Sequence, residues 1–358
     1  MSKFQVLLTA CAFTLIGLSS ASAREYVDAQ NGNDSGACPV TLPCATLNYA
    51  LSQIGAGSNT TIVIMKAGNF GPVLLTANVA IVGPDSPAQA QIYADSTALV
   101  GCIGGAPGSC GANNGYAMEI AAGVNNVLQF THLLLDAEHS GVAGVGALKF
   151  TSGGQIQLSD SIFRGNATAT GPIVLLNPNN AGTTQAQVYF SHNDVGFNNT
   201  ISTSSGAVLV APIGTTSLKL HFNHVEVHNA SFGIRTDGSA LSAGANVSTF
   251  ISDSEFFSFP NAAVNAFSTA GTGTVNAVFD TTRILNAGTA LKANGPQSFV
   301  ILTNNTVGGN TIGVNSINSA TVLTSVNNTI TGNGPTNNQN VVLTGGSTPG
   351  TFTNAPLQ

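Results

Sequence analysis

Along most of this chain apolar residues fall at alternate positions, in short bursts that each end at one polar or small residue. Aligned on those breaks, eight copies of a single phrase appear, with the break at His132, Asp160, His192, His224, Asp253, Thr281, Asn304 and Asn327. Successive breaks are 28, 32, 32, 29, 28, 23 and 23 residues apart. Three positions after each stands an apolar residue: Leu135, Phe163, Val195, Val227, Phe256, Ile284, Val307 and Ile330. Two positions before stand Phe130, Leu158, Phe190, Phe222, Ile251, Phe279 and Leu302, and only Ser325 departs. The column four positions before, from Leu128 and Ile156 to Val300 and Leu323, is mostly apolar as well.

A period of two predicts strands, and the polar break predicts a bend at which the next strand begins. A second apolar burst follows in each copy, as in IVLL from 173, AVLV from 207, FGIR from 232 and TALK from 289, which makes about three strands per copy. A unit of this size cannot bury its own inner face, whereas stacked copies enclose one continuous core. The pattern predicts a parallel β-solenoid with strands about 4.8 Å apart and loops of uneven length.

These columns resemble the right-handed parallel β-helix proteins of the pectin-lyase-like superfamily, whose coils often carry an asparagine ladder at a bend. Asn304 and Asn327 match that ladder position, where earlier copies have His, Asp or Thr. The opening YVDAQNGNDSG, CATLNYAL and TIVIMKAGNF is similar to that of exported β-helix proteins, through Gly32, Asp34, Gly36, Thr46, Leu47, Ala50, Gly68 and Phe70. Leu47, Ala50, Leu51 and Ile54 fall on one helical face, so a short N-terminal helix is expected to cap the core. The expected layout is an N-terminal strand and capping helix over 24–60, an all-β, single-stranded right-handed parallel β-helix over 61–345 and a flexible tail over 346–358.

Residues 1–23 read as a secretory signal peptide, with Lys3 at the start, an apolar stretch from Val6 to Leu18 and Ala21-Ser22-Ala23 at the cleavage site. The competing reading, a lipoprotein acylation box at Leu8-Thr9-Ala10-Cys11, leaves almost no apolar segment before its cysteine. No later apolar run is long enough to span a bilayer, so a secreted or periplasmic protein is expected. The remaining cysteines suit two disulfides, and short separations favour Cys38 with Cys44 and Cys102 with Cys110. The rival, a zinc site, lacks CxxC spacing and a nearby histidine.

The chain is 43% hydrophobic but 7% charged, with 41 Gly and no Trp, which excludes disorder and leaves Asn, Ser, Thr and Gly to cover the surface. Without Lys3, 8 basic residues face 15 acidic ones, a net charge of −7, so nucleic acid is not an expected partner.

The resemblance names chemistries that can be sought. Polygalacturonase-like elements do not occur, and Gly68-Asn69-Phe70-Gly71-Pro72 lacks the tyrosine and glutamate of the pectin-esterase motif. Calcium-dependent lyases need acidic residues on adjacent coils beside an Arg or Lys base. Two positions after the break, Asp194, Glu226, Glu255 and Arg283 stand on consecutive copies, so they are expected to point outward. One reading gives Ca²⁺ held by Asp194, Glu226 and Glu255, with Arg283 as catalytic base. The other has the side chains splayed into water, with Glu255 paired to Arg283.

Other candidates are structural on this reading. His132, His192 and His224 share the bend column with Asp160 and Asp253, where hydrogen bonding at the bend is expected. Arg235 and Lys292 align on either side of a coil that places Phe267 between them, and Asp136, Glu138 and His139 fall in a loop between strands, where acid and imidazole are easily solvated and a loop active site is the alternative reading. With most Phe in inward columns, a glycan groove would rely on Asn, Ser and Thr. The expected function is an exported structural, cell-surface or carbohydrate-contact module, with extracellular or cell-envelope polysaccharide as partner. The alternative is a Ca²⁺-dependent, pectate-type polysaccharide lyase.

Overall fold

The computed structural model describes residues 23–55, 58–85, 90–94, 101–103, 115–139, 142–143, 145–166, 171–180, 185–196, 206–325, 327–334, 341–342 and 351–354. The expected leader up to residue 22, and Cys110 with the expected Cys102–Cys110 bridge, lie outside the described residues.

The chain winds into a right-handed parallel β-helix with three faces. The first face is a twelve-stranded parallel sheet that runs from Ala23–Val27 through Thr60–Ile64, Gln155–Ser159, Ser217–Asn223 and Thr274–Asp280 to Thr351–Asn354. After a bend the chain enters the second face, where Leu134–Asp136, Ile162–Arg164, Asp194–Gly196, Glu226–His228 and Thr306–Gly308 belong. The third face contains Gly146–Ser152, Val174–Leu176, Val208–Val210, Ile234–Asp237 and Ile312–Ile317. Two long strands, Glu255–Phe267 and Arg283–Asn294, run from the second face into the third.

The expected columns are rungs of this stack. Leu135, Phe163, Val195, Val227, Phe256, Ile284, Val307 and Ile330 pair in unbroken register, and all but the half-buried Ile330 are fully buried. On the first face Phe130, Leu158, Phe190, Phe222, Ile251, Phe279 and Leu302 form a second interior file. The Phe190 and Phe222 rings stack at 4.7 Å, and Phe163 meets Phe190 edge-on at 5.8 Å. Each buried phenylalanine is worth about 1.5–3 kcal/mol relative to exposure, so these files dominate the stabilisation.

The bend has a backbone cause. His132, Asp160, His192, His224, Asp253, Thr281 and Asn304 all adopt left-handed φ values of 48–56°, a region in which Asn, Asp and His are enriched. A second left-handed column, Asn229, Ser258, Asn286, Gly309 and Gly332, follows the second-face strands.

The buried amide ladder lies one position beyond the expected one. Asn193 Nδ2 donates to the Leu158 carbonyl at 2.9 Å, and its Oδ1 accepts from the Ser161 N–H at 3.0 Å. Asn305 makes the equivalent pair with Phe279 and Thr282, and Asn328 binds Leu302 and Asn305. Asn304 and Asn327, the expected ladder, are exposed and bond to each other across the bend. The physical reason is that the left-handed residue turns its own side chain outward and aims the next one into the core.

The last copy is also shifted. Val322 and Thr324 pair with Val300 and Leu302, so Leu323 faces outward and Ser325 lies beyond the strand. Within the expected tail, Thr351–Asn354 pairs with Thr321–Thr324, so that part is strand.

At the other end, helix Leu47–Gln53 buries Leu47, Ala50 and Leu51 in the common core, and Ile54 beyond it is buried too. Thr46 caps it by accepting from the Tyr49 N–H, and Asp34 accepts from the Ala45 and Thr46 N–H groups, each at 2.9 Å. The expected disulfide joins Cys38 and Cys44, both fully buried, with Cα atoms 4.9 Å apart. Gly32 is required beside it, because a Cβ there would lie 2.3 Å from the Cys44 carbonyl oxygen.

Two predictions follow from the rungs. Asn193→Ala strands a buried carbonyl and a buried N–H, so urea denaturation is expected to show a loss of about 2–6 kcal/mol, from about 1–3 per orphaned group. Glu25 occupies the first rung of the phenylalanine file, in register with Ile62, and its Oε2 has no hydrogen-bond partner. Burial pushes its pKa up from 4.5 to about 7. The folded state therefore keeps a proton that the unfolded chain releases, and stability falls as pH rises from 4.5 to about 7. Glu25→Gln is expected to raise the melting temperature above pH 7 and to leave it unchanged near pH 4.

Candidate functional sites

Among the described residues, two open grooves across adjacent coils are lined by charged side chains. The first, of about 480 Å³, follows the bend between the first two faces and is lined by Asp160, His192, Asp194, His224 and Glu226, with Asp85 and His132 at one end. Two of its imidazoles are engaged at the bend: the His192 and His224 rings stack at 4.9 Å. His192 Nδ1 lies 2.9 Å from Ser191 Oγ, and His224 Nδ1 donates to Asn223 Oδ1 at 2.8 Å.

The row Asp194, Glu226, Glu255 and Arg283 occupies consecutive rungs on the outward side, as expected from its position beside the inward file. The side chains do not converge. Asp194 turns to the buried His228, whose Nε2 lies 2.8 Å from Asp194 Oδ1, while His228 Nδ1 lies 2.9 Å from the Asn229 amide nitrogen. The His228 ring also stacks on Phe257 at 5.1 Å. Glu255 lies 3.2 Å from the Arg283 guanidinium, and Glu226 stands exposed between the two pairs. Among the described residues no three His, Cys, Asp or Glu side chains meet in a constellation that could hold a metal ion.

Asp136 is buried in the strand Leu134–Asp136, where it accepts from Gln91 at 2.9 Å and pairs with Arg164 at 3.4 Å. It is therefore not the solvated loop residue that the sequence suggested. Glu138–His139, next to it, forms a short antiparallel pair with Val142–Ala143.

The second groove, of about 420 Å³, lies on the third face. Arg235 pairs with Asn265 and Asn265 with Lys292, so an amide separates the two cations; Phe267 lies two positions on, between Asp237 and Asn294. The difference arises in the coil Glu255–Phe267, whose register shifts by a bulge between Phe259 and Ala262. Asp237 accepts from Arg235 Nη2 at 3.0 Å and is itself held by the Ser239 N–H and hydroxyl. Arg235 Nε, Asn265 Oδ1 and, two rungs beyond Asn265 and outside the groove lining, Asn315 Oδ1 are shielded from solvent without hydrogen-bond partners. Gly288 keeps the floor flat, since a Cβ there would lie 2.3 Å from the Pro260 carbonyl oxygen.

The sequence columns three positions before the break carried a further signal. Tyr189, His221 and Phe250 stack outward on the first face, with Tyr189 and His221 at 4.9 Å and His221 and Phe250 at 6.1 Å. Burial, followed by the Lys219 charge, holds the His221 imidazole below its usual range. Tyr189 and His221 cover each other's faces, so this pair presents mainly edges to a ligand.

Among solved structures, the chain superposes on the crystal structure of pectate lyase Pel9A with a TM-score of 0.58 at 11% identity, over 85% of this chain and 76% of that one. It aligns more loosely with Dettilon tailspike protein (TM-score 0.43, 10% identity, 92% of this chain and 68% of that one). The GH136 lacto-N-biosidase from Eubacterium ramulus gives a TM-score of 0.39 at 7% identity, over 93% and 67%. No family model and no curated protein matches the chain. The class defined by fold and pairing is the right-handed parallel β-helix, and at this identity the likeness to pectate lyase Pel9A is one of fold. No helix among the described residues is long and apolar enough to cross a membrane.

The Arg283–Glu255 pair is 59% and 37% exposed, so Arg283→Ala is expected to change stability by less than about 1 kcal/mol in a denaturant titration.

Proposed function

We propose that this protein is an exported parallel β-helix that contacts carbohydrate through the groove on its third face. The observation that carries the reading is the row of polar side chains that the groove presents on consecutive coils: the partly exposed Arg235, then Asn265, then Lys292, with Asn261 beside them. A sugar hydroxyl both donates and accepts, so a run of hydroxyls suits such a row of cationic donors and amides. The shallow, open groove spanning several coils suits an extended chain. The fold is also one that a polysaccharide lyase uses. The expected leader and the Cys38–Cys44 bridge support an oxidising compartment outside the cytoplasm.

The calcium-lyase reading of Asp194, Glu226, Glu255 and Arg283 is the weaker one. Its base is tied to Glu255 and its first acid to His228, so the row is already partly neutralised within itself.

The experiment is a glycan array followed by calorimetry, run beside an assay for unsaturated product on polyuronates with and without Ca²⁺. Oligosaccharide binding that Asn265→Ala weakens about tenfold, or about 1.4 kcal/mol, is the expected result. Calcium-dependent product formation abolished by Arg283→Ala would replace this reading with the lyase.

A further inference from the structure

The groove carries a charge asymmetry beyond its hydroxyl-matching groups. Lys66, Lys149, Arg164, Arg235 and Arg283 each have an acidic partner. Lys292, like Arg24 and Lys219, makes no ion pair among the described residues, and of these three it alone lines this groove, in a chain whose net charge is −6. It lies on the groove wall two rungs from Arg235, which places the two cations about 10 Å apart with Asn265 between them. Arg235 is braced from behind: Ser239 fixes Asp237, Asp237 fixes Nη2, and Nε is left without a partner. Asp237 offsets much of the Arg235 charge, whereas no acidic side chain among the described residues pairs with Lys292.

We infer that this groove selects oligosaccharides bearing an anionic substituent, a carboxylate or a sulfate ester, with Lys292 reading the charge and the Asn265 amide and the partly exposed Arg235 guanidinium holding the neighbouring hydroxyls. The inference rests on the carbohydrate-contact reading and names the ligand class for that same site. Bonds from a cation to an anion in a partly shielded site are about twice as strong as neutral ones, which favours a charged sugar over its neutral counterpart. Nucleic acid, the other common polyanion, is opposed by the negative charge of the rest of the molecule.

The test is calorimetry on the full exported chain with four ligands of equal length: an oligouronate, its methyl ester, a sulfated neutral oligosaccharide and its unsulfated parent. The wild type is expected to bind the uronate about tenfold tighter than the ester, with a difference that shrinks as salt rises. Lys292→Gln is expected to remove that difference. Unchanged melting of the variant shows that the fold is intact, as suits an outward side chain. Preference for the sulfated sugar over its parent assigns the site to anions of either kind; preference for the uronate alone assigns it to carboxylates. Equal binding of uronate, ester and sulfated sugar by the wild type overturns the charge selection but leaves carbohydrate contact standing. Binding of none of them overturns both.

Discussion

Parallel strands pair only when neighbouring coils keep the same path, and this requirement governs every other feature of the molecule. At a strand spacing of about 4.8 Å a side chain sits directly on its counterpart in the next coil, so each column must keep one character. Inward columns are apolar for that reason. The bend needs a left-handed residue in coil after coil, and it recurs from His132 to Asn304. The polar groups exposed by turning must then be met inside, which Asn193, Asn305 and Asn328 do.

How much of this could be read from the letters depended on what fixed the register. The files through Phe163, Val195 and Val227 and through Phe190 and Phe222 were legible because apolar spacing relative to the bend is constant along the winding. The ladder was misplaced by one position because both Asn304 and Asn305 are asparagines, and only backbone conformation distinguishes the outward one from the buried one. Leu323 was assigned inward because the final coil carries an extra residue before its bend.

The sites were less legible for the same reason. The outward row Asp194, Glu226, Glu255 and Arg283 lies next to a well-fixed file, and its register followed directly. What letters could not convey was that Asp194 turns toward His228, a side chain from the next coil. Arg235, Asn265 and Lys292 lie beyond the second bend, where coil lengths differ and a bulge intervenes, so counting from the first bend lost their alignment.

The two closing steps of 23 residues describe coils with almost no loop, whereas the middle of the stack carries excursions that lengthen a step to 32. Since each rung recognises only its immediate neighbours, a whole turn can be duplicated or deleted without disturbing distant ones. Evolution can thus treat this rod as a ruler cut to length, resizing its reach by recombination while decorating single coils for new contacts.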